Sequence, residues 1–107
     1  MLFDKITIIG IGLIGSSLAR VIMKKGLAGK LCACDKNKEY LAEARELGIV
    51  DEISEDLGKA VENADLVVYA TPVGAYGEIT RQIVPHLKKG VILTDVGSIK
   101  KHSIRAR

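Results

Sequence analysis

The sequence predicts an α/β domain: a doubly wound, mostly parallel sheet with helices on both faces. Three observations carry this. Short, β-branched runs with few polar interruptions recur along the chain, as strands buried on both faces require. Longer stretches with apolar residues at helical spacing separate them. Strict strand–helix alternation then calls for right-handed crossovers, and the expected strand order is 3-2-1-4-5, the chain reversing between strands 1 and 4.

The first strand is read at residues 5–9, a compact run ending at a glycine-rich turn over 10–15. Ile14, Leu18, Val21 and Ile22 follow at helical spacing, with Gly26 as the stop. Residues 30–34 form a second strand ending at Asp35, and Tyr40, Ala44 and Leu47 mark a second helix closed by Gly48. A short strand over 49–54 precedes a third helix, for which Ser54 is the expected N-cap and Leu57, Ala60, Val61 and Ala64 the buried face. Residues 66–70 are the clearest buried strand, ended by Thr71-Pro72 because proline cannot continue a central ladder. Ile79, Ile83 and Leu87 define a fourth helix whose last turn Pro85 kinks or tightens, and residues 91–94 form the last strand.

The chain has 107 residues, room for one domain over residues 1–107. Its formal charge of +3 is concentrated at one end, where Lys100, Lys101, Arg105 and Arg107 lie in the last eight positions. The other 99 residues carry 12 basic and 13 acidic groups, so no basic stripe points to nucleic acid. No apolar run reaches the ~18 residues that span a bilayer, and the N-terminus lacks the pattern of a signal peptide. Cys32 and Cys34 share a face of one strand, too close for ordinary disulfide geometry, and read as small core residues of a reduced, cytoplasmic protein.

A glycine triplet alone is a weak signal, but Gly10-Ile11-Gly12-Leu13-Ile14-Gly15 follows a strand and opens a helix, the context a dinucleotide site needs. Gly10 permits the tight turn, Gly12 lets backbone approach a diphosphate, and Gly15 lets helix pack on strand. Free N–H groups from Leu13 onward would face the phosphates. Ser16-Ser17 in place of Lys-Ser/Thr excludes a nucleoside-triphosphate P-loop. Asp35, 20 residues beyond Gly15, is placed to accept from an adenosine ribose and to repel a 2′-phosphate. These features favour NAD; Lys36 and Lys38 leave NADP as the alternative.

Ligands in doubly wound sheets bind beyond the carboxyl ends of the strands at the reversal point. Three loops should meet there: 10–15, 71–74 and 95–98. Thr71, Pro72 and Val73 would pass the nicotinamide ribose, while Gly97 and Ser98 would lie near the reactive ring.

Gly10-Ile-Gly-Leu-Ile-Gly-Ser-Ser17, Thr71-Pro-Val73 and Thr94-Asp-Val-Gly-Ser98 followed by Lys100 resemble the prephenate/arogenate dehydrogenases of tyrosine biosynthesis, over essentially the whole chain. The resemblance implies a Rossmann domain and oxidative decarboxylation of prephenate or arogenate, with hydride passing to nicotinamide. It assigns Ser98 a hydrogen bond to the substrate hydroxyl beside the catalytic base. It also implies a catalytic His beyond Ser98 and a helical dimerisation domain bearing a substrate-binding Arg. The chain stops at Arg107 before either, so it is expected to be catalytically incomplete and to self-associate through apolar surface. His86, beside Lys88 and Lys89 at a helix end, and His102 are not read as replacements. Two other readings are a stand-alone NAD(P)-binding regulatory module and a different reductase, such as a 3-hydroxyacid or pyrroline-carboxylate type; residues 95–98 followed by Lys100 argue against the latter.

Overall fold

The computed structural model describes residues 2–97, which form a five-stranded, all-parallel sheet. In chain order the elements are β1 (Phe3–Ile9), α1 (Leu13–Lys25), β2 (Ala28–Cys34), α2 (Lys38–Glu46), β3 (Glu52–Ser54), α3 (Leu57–Val61), β4 (Leu66–Tyr69), α4 (Tyr76–Ile83) and β5 (Ile92–Asp95). Two 3₁₀ turns, Val73–Ala75 and Val84–His86, flank α4. The order across the sheet is β3-β2-β1-β4-β5, as the alternation predicts. Register runs Ile9 beside Cys34 and Tyr69, Cys34 beside Ser54, and Tyr69 beside Asp95, so all five strands end level at one edge.

The pleat sorts alternate residues of each strand between two cores. Ile6, Ile8, Leu31, Ala33 and Val68 pack beneath α1 and α2 with Ala19, Ile22, Leu41 and Ala44. Ile9, Val67 and Tyr69 pack on the other face with Val61 and Ile83, under α3 and α4. Thr7 also points to that face, fully buried, and donates its hydroxyl to the Ala60 carbonyl at 2.6 Å. Burial there is tolerated because the hydroxyl is satisfied. At the opposite edge of the sheet, Asp65 accepts from the N–H groups of Asp4 (2.8 Å) and Lys5 (3.0 Å) and pairs with Lys88.

Several local expectations shift. Ile14 and Val21 are half exposed; Ile22 is buried as expected, and Gly15 and Ala19 are buried with it. Tyr40 and Leu47 are exposed, and Leu41 takes the core position beside Ala44. The cap of α3 is Asp56, which accepts from Lys59 N–H at 3.2 Å; Ser54 lies two residues earlier, its hydroxyl accepting from Asp56 N–H. Two good cap residues two positions apart make the start of this five-residue helix ambiguous by sequence. Asn37, unread in the sequence, caps α2 through Glu39 and Tyr40 N–H. Pro85 does tighten the end of α4, inside the Val84–His86 turn.

Cys32 and Cys34 are buried, unbonded thiols under Ala60 and Leu57. Burial is the main cause that raises their pKa values, from an ordinary 9.0 to about 11 for Cys32 and about 12 for Cys34. A raised folded pKa stabilises the fold fully below the ordinary value and loses that contribution as pH rises through the folded one. Stability should therefore fall as pH climbs from 9.0 toward about 11 and 12. Ultraviolet thiolate absorbance should appear together with unfolding rather than before it.

The turn from β1 to α1 packs backbone directly against backbone. A Cβ on Gly15 would lie 2.0 Å from the Gly10 carbonyl oxygen, and one on Gly10 (φ +96°) would lie 2.8 Å from the Ala70 carbonyl oxygen. Backbone atoms cannot swing aside. Gly15→Ala is expected to destabilise the fold by about 3 kcal/mol, outweighing the ~1 kcal/mol that alanine gains in a helix interior. A urea unfolding curve measures the difference.

Candidate functional site

Strand β1 ends against its neighbours, not in open solvent. Gly10 N–H donates to the Cys34 carbonyl at 2.7 Å, and Ala70 N–H donates to the Ile9 carbonyl at 2.8 Å. The chain then turns through Ile11 and Gly12 into α1. Gly12 is the N-cap and offers no side chain, no acidic residue lies in the first turn, and the 13-residue helix starts uncapped. Its first amides, from Leu13, Ile14 and Gly15, are thus left for an external acceptor, with the positive end of the helix dipole behind them.

Gly12 differs from its neighbours. Its φ of −67° is one that any residue adopts, and a Cβ there would meet nothing within 4 Å. The fold demands Gly10 and Gly15 but has no use for a glycine at position 12. What the missing side chain does leave is open space over the helix N-terminus.

Asp35 immediately follows β2 and faces this turn. Its Oδ2 accepts the Ile11 N–H at 2.8 Å, and its Oδ1 accepts the Asn37 N–H at 2.9 Å. Each carboxylate oxygen has a second lone pair, so the group is oriented by backbone yet can accept two more hydrogen bonds. Thr71 closes the other side: its Cγ2 would touch a Cβ on Gly10, and its Oγ1 is buried with no hydrogen-bond partner. A buried hydroxyl left unpaired costs roughly 1–3 kcal/mol, which a ligand oxygen would recover. The open cradle at Gly12 and the orphaned hydroxyl of Thr71 are what a bound dinucleotide would account for.

Between the ends of β2 and β4 lies a crevice of about 530 Å³. Gly10, Asp35, Thr71 and Pro72 line it, and the start of α3 and one side of α4 supply Leu57, Ile79 and Gln82 as its walls. Gly12 and Leu13 belong instead to a groove of about 370 Å³ between α1 and α2, with Arg20, Tyr40 and Leu47. The glycine turn therefore separates two hollows. Val73 opens the 3₁₀ turn after Pro72 with its side chain exposed, outside both. Gly97 ends the described chain, where a Cβ would approach Asp95 Oδ1 to 3.0 Å; Ser98 lies outside the described residues. Asp95 ends β5 close to Tyr76, whose hydroxyl pKa is raised by burial and then by the Asp95 charge.

The crevice also holds Lys36, Glu55, Asp56 and Glu78. The carboxylates were not among the residues read as site groups. Glu55 and Asp56 follow β3, and the rule that ligands lie beyond strand ends could have found them. Glu78 had no comparable signal, since helical spacing marks only the inward side of α4. His86 lies away from the crevice, its ring over Gly58 of α3. Among the described residues no group of three or more His, Cys, Asp or Glu could hold a metal ion, and no helix is long and apolar enough to cross a membrane.

Residues 18–106 match the family model described as the nucleotide-binding domain of prephenate dehydrogenase, a match that begins after the glycine turn. A cyclohexadienyl dehydrogenase from Zymomonas mobilis is 40% identical over 103 residues, covering 96% of this chain and 35% of the relative. Among solved structures, prephenate dehydrogenase from A. aeolicus, in complex with hydroxyphenyl propionate and NAD+, superposes with a TM-score of 0.79 at 28% identity, covering 86% of this chain and 32% of that one. Synechocystis arogenate dehydrogenase gives 0.78 at 31% identity, covering 85% and 32%. The chain thus spans about a third of the length of these relatives. With most of its length inside the family model and a doubly wound sheet of the same form, this chain belongs to the prephenate dehydrogenase family, as its nucleotide-binding domain.

Proposed function

We propose that this chain binds NAD across the carboxyl edge of its sheet, as the cofactor part of a prephenate or arogenate dehydrogenase acting in tyrosine biosynthesis. The observation that carries the reading is the pairing at the glycine turn: an uncapped helix N-terminus under open space at Gly12, with the Asp35 carboxylate held against the same turn. The likeness to a dehydrogenase solved with NAD+ supports it.

In this reading the amides of Leu13, Ile14 and Gly15 donate to the diphosphate, which Gly12 admits to close range. The remaining lone pairs of Asp35 accept from the adenosine ribose hydroxyls. Thr71 Oγ1 donates to a cofactor oxygen, and Pro72 and Val73 border the passage toward the nicotinamide ribose. Gly97 lets backbone come close at the reactive end, and the Ser98 hydroxyl hydrogen-bonds the substrate hydroxyl. Bound there, NAD supplies a hydride acceptor for an oxidation in which a ring carboxylate leaves as carbon dioxide.

The cytoplasm is the compartment this reading favours, since two buried thiols stay reduced there. Ile92 and Leu93 on the edge strand β5 are 51% and 41% exposed, which supports packing of this edge of the sheet against further protein, another copy included.

Titration calorimetry tests the binding. The wild-type chain should take up NAD, and absence of binding at millimolar concentration would sink the reading. Gly12→Val fills only the cradle, so it should keep the unfolding midpoint while weakening NAD by at least about tenfold, or ~1.4 kcal/mol.

A further inference from the structure

NAD and NADP differ at one adenosine ribose position, where a neutral hydroxyl is replaced by a phosphate carrying close to two negative charges. We propose that this crevice discriminates between them through Glu55 and Glu78, whose carboxylates line it and engage Lys38 and Arg81, and not through Asp35 alone. The inference rests on reading the crevice as the adenosine half of an NAD site.

Asp35 by itself is an incomplete barrier. Both its oxygens already accept backbone N–H groups, and two lysines follow within three residues. Left to themselves, Lys36 and Lys38 would offer a 2′-phosphate the positive charge it seeks. The structure engages Lys38 with a glutamate and leaves Lys36 in the crevice lining. Lys38 Nζ lies 3.9 Å from Glu55 Oε1, across the gap between the β2 and β3 loops. On the facing wall, Glu78 accepts from Arg81 Nη2 at 2.8 Å and Gln82 Nε2 at 3.0 Å. The Arg81 guanidinium and Gln82 amide hold the Glu78 carboxyl below its ordinary range, and the Lys36 ammonium adds to this from the crevice rim.

Lys36, Lys38 and Arg81 therefore each lie in the field of a glutamate, while Asp35 and Asp56 add two further carboxylates to the lining. The lining itself holds four carboxylates and one cation, Lys36, which leaves the mouth negative. A ribose hydroxyl is indifferent to that balance. A phosphate has to draw Lys38 from Glu55 or Arg81 from Glu78 and then sit beside those carboxylates. Exposed ion pairs are weak singly, but here several act on one doubly charged group over short distances.

The test is the ratio of the NADP to the NAD dissociation constant, measured on the 107-residue chain and on Glu55→Gln/Glu78→Gln, which keeps side-chain size. The ratio should exceed one in the wild type and fall by about tenfold in the variant, as the lysines and Arg81 become available. It should also shrink with added salt in the wild type, because the Debye length drops from ~10 Å at 0.1 M to ~3 Å at 1 M. A ratio unchanged within about twofold in the variant, with NAD still bound, overturns the assignment while leaving the NAD site standing. Discrimination abolished by Asp35→Asn alone overturns it too, as does wild-type protein that prefers NADP. Failure of the wild type to bind either nucleotide removes the site itself, and the inference with it.

Discussion

The Gly10 carbonyl occupies the place where any side chain on residue 15 would have to go, and most of the site follows from that contact. It draws α1 as close to the end of β1 as two backbones permit. Gly10 in turn is wedged against Ala70 and Thr71 at the end of β4. The N-terminus of α1 is thereby fixed at the centre of the sheet edge, where the chain path parts to β2 on one side and β4 on the other. Three ligand-facing features then need no separate device to come together: the free amides of the helix, the carboxylate closing β2 and the hydroxyl following β4.

The glycines of the turn answer two different requirements. Gly10 and Gly15 are demanded by packing within the chain, and would be so if nothing ever bound. Gly12 has an ordinary φ and empty space above it, so its lack of a side chain serves an approach from outside. The same logic applies to Thr71. A fold optimised only for stability would not bury a hydroxyl without a partner, and local rules of this kind are broken mainly where function needs it.

The buried strands could be read because a parallel sheet covered on both faces leaves a plain trace of consecutive apolar residues. Their order followed from the handedness of crossovers and the position of the glycine turn, not from any single residue. Helix faces were less legible. On α1, Ile14 and Val21 suit a core by type, yet Gly15 and Ala19 lie inward beside Ile22, and at Gly15 the close approach to Gly10 leaves no room for a side chain. On α2, Tyr40 and Leu41 are adjacent apolar residues, and pattern alone does not choose between them. Asp35 was legible because its distance from the turn is set by one strand–helix–strand unit. Glu55, Asp56 and Glu78 were not, since they reach the crevice from elements that packing, rather than sequence spacing, brings around it.

The two ends of the proposed ligand are consequently held by different kinds of group. In the proposed pose the diphosphate would meet backbone amides and a helix dipole, which no substitution at the surface can remove without altering the turn. The adenosine end would meet side chains on loops and on the outer flank of α4, where exposed charges are exchanged at little cost to folding. A domain built this way can hold its fold and its phosphate site constant while its choice of cofactor drifts with a few surface carboxylates. For that reason the match to the family model, which begins beyond the glycine turn, and the glycine turn itself carry independent information: one reports descent, the other reports chemistry.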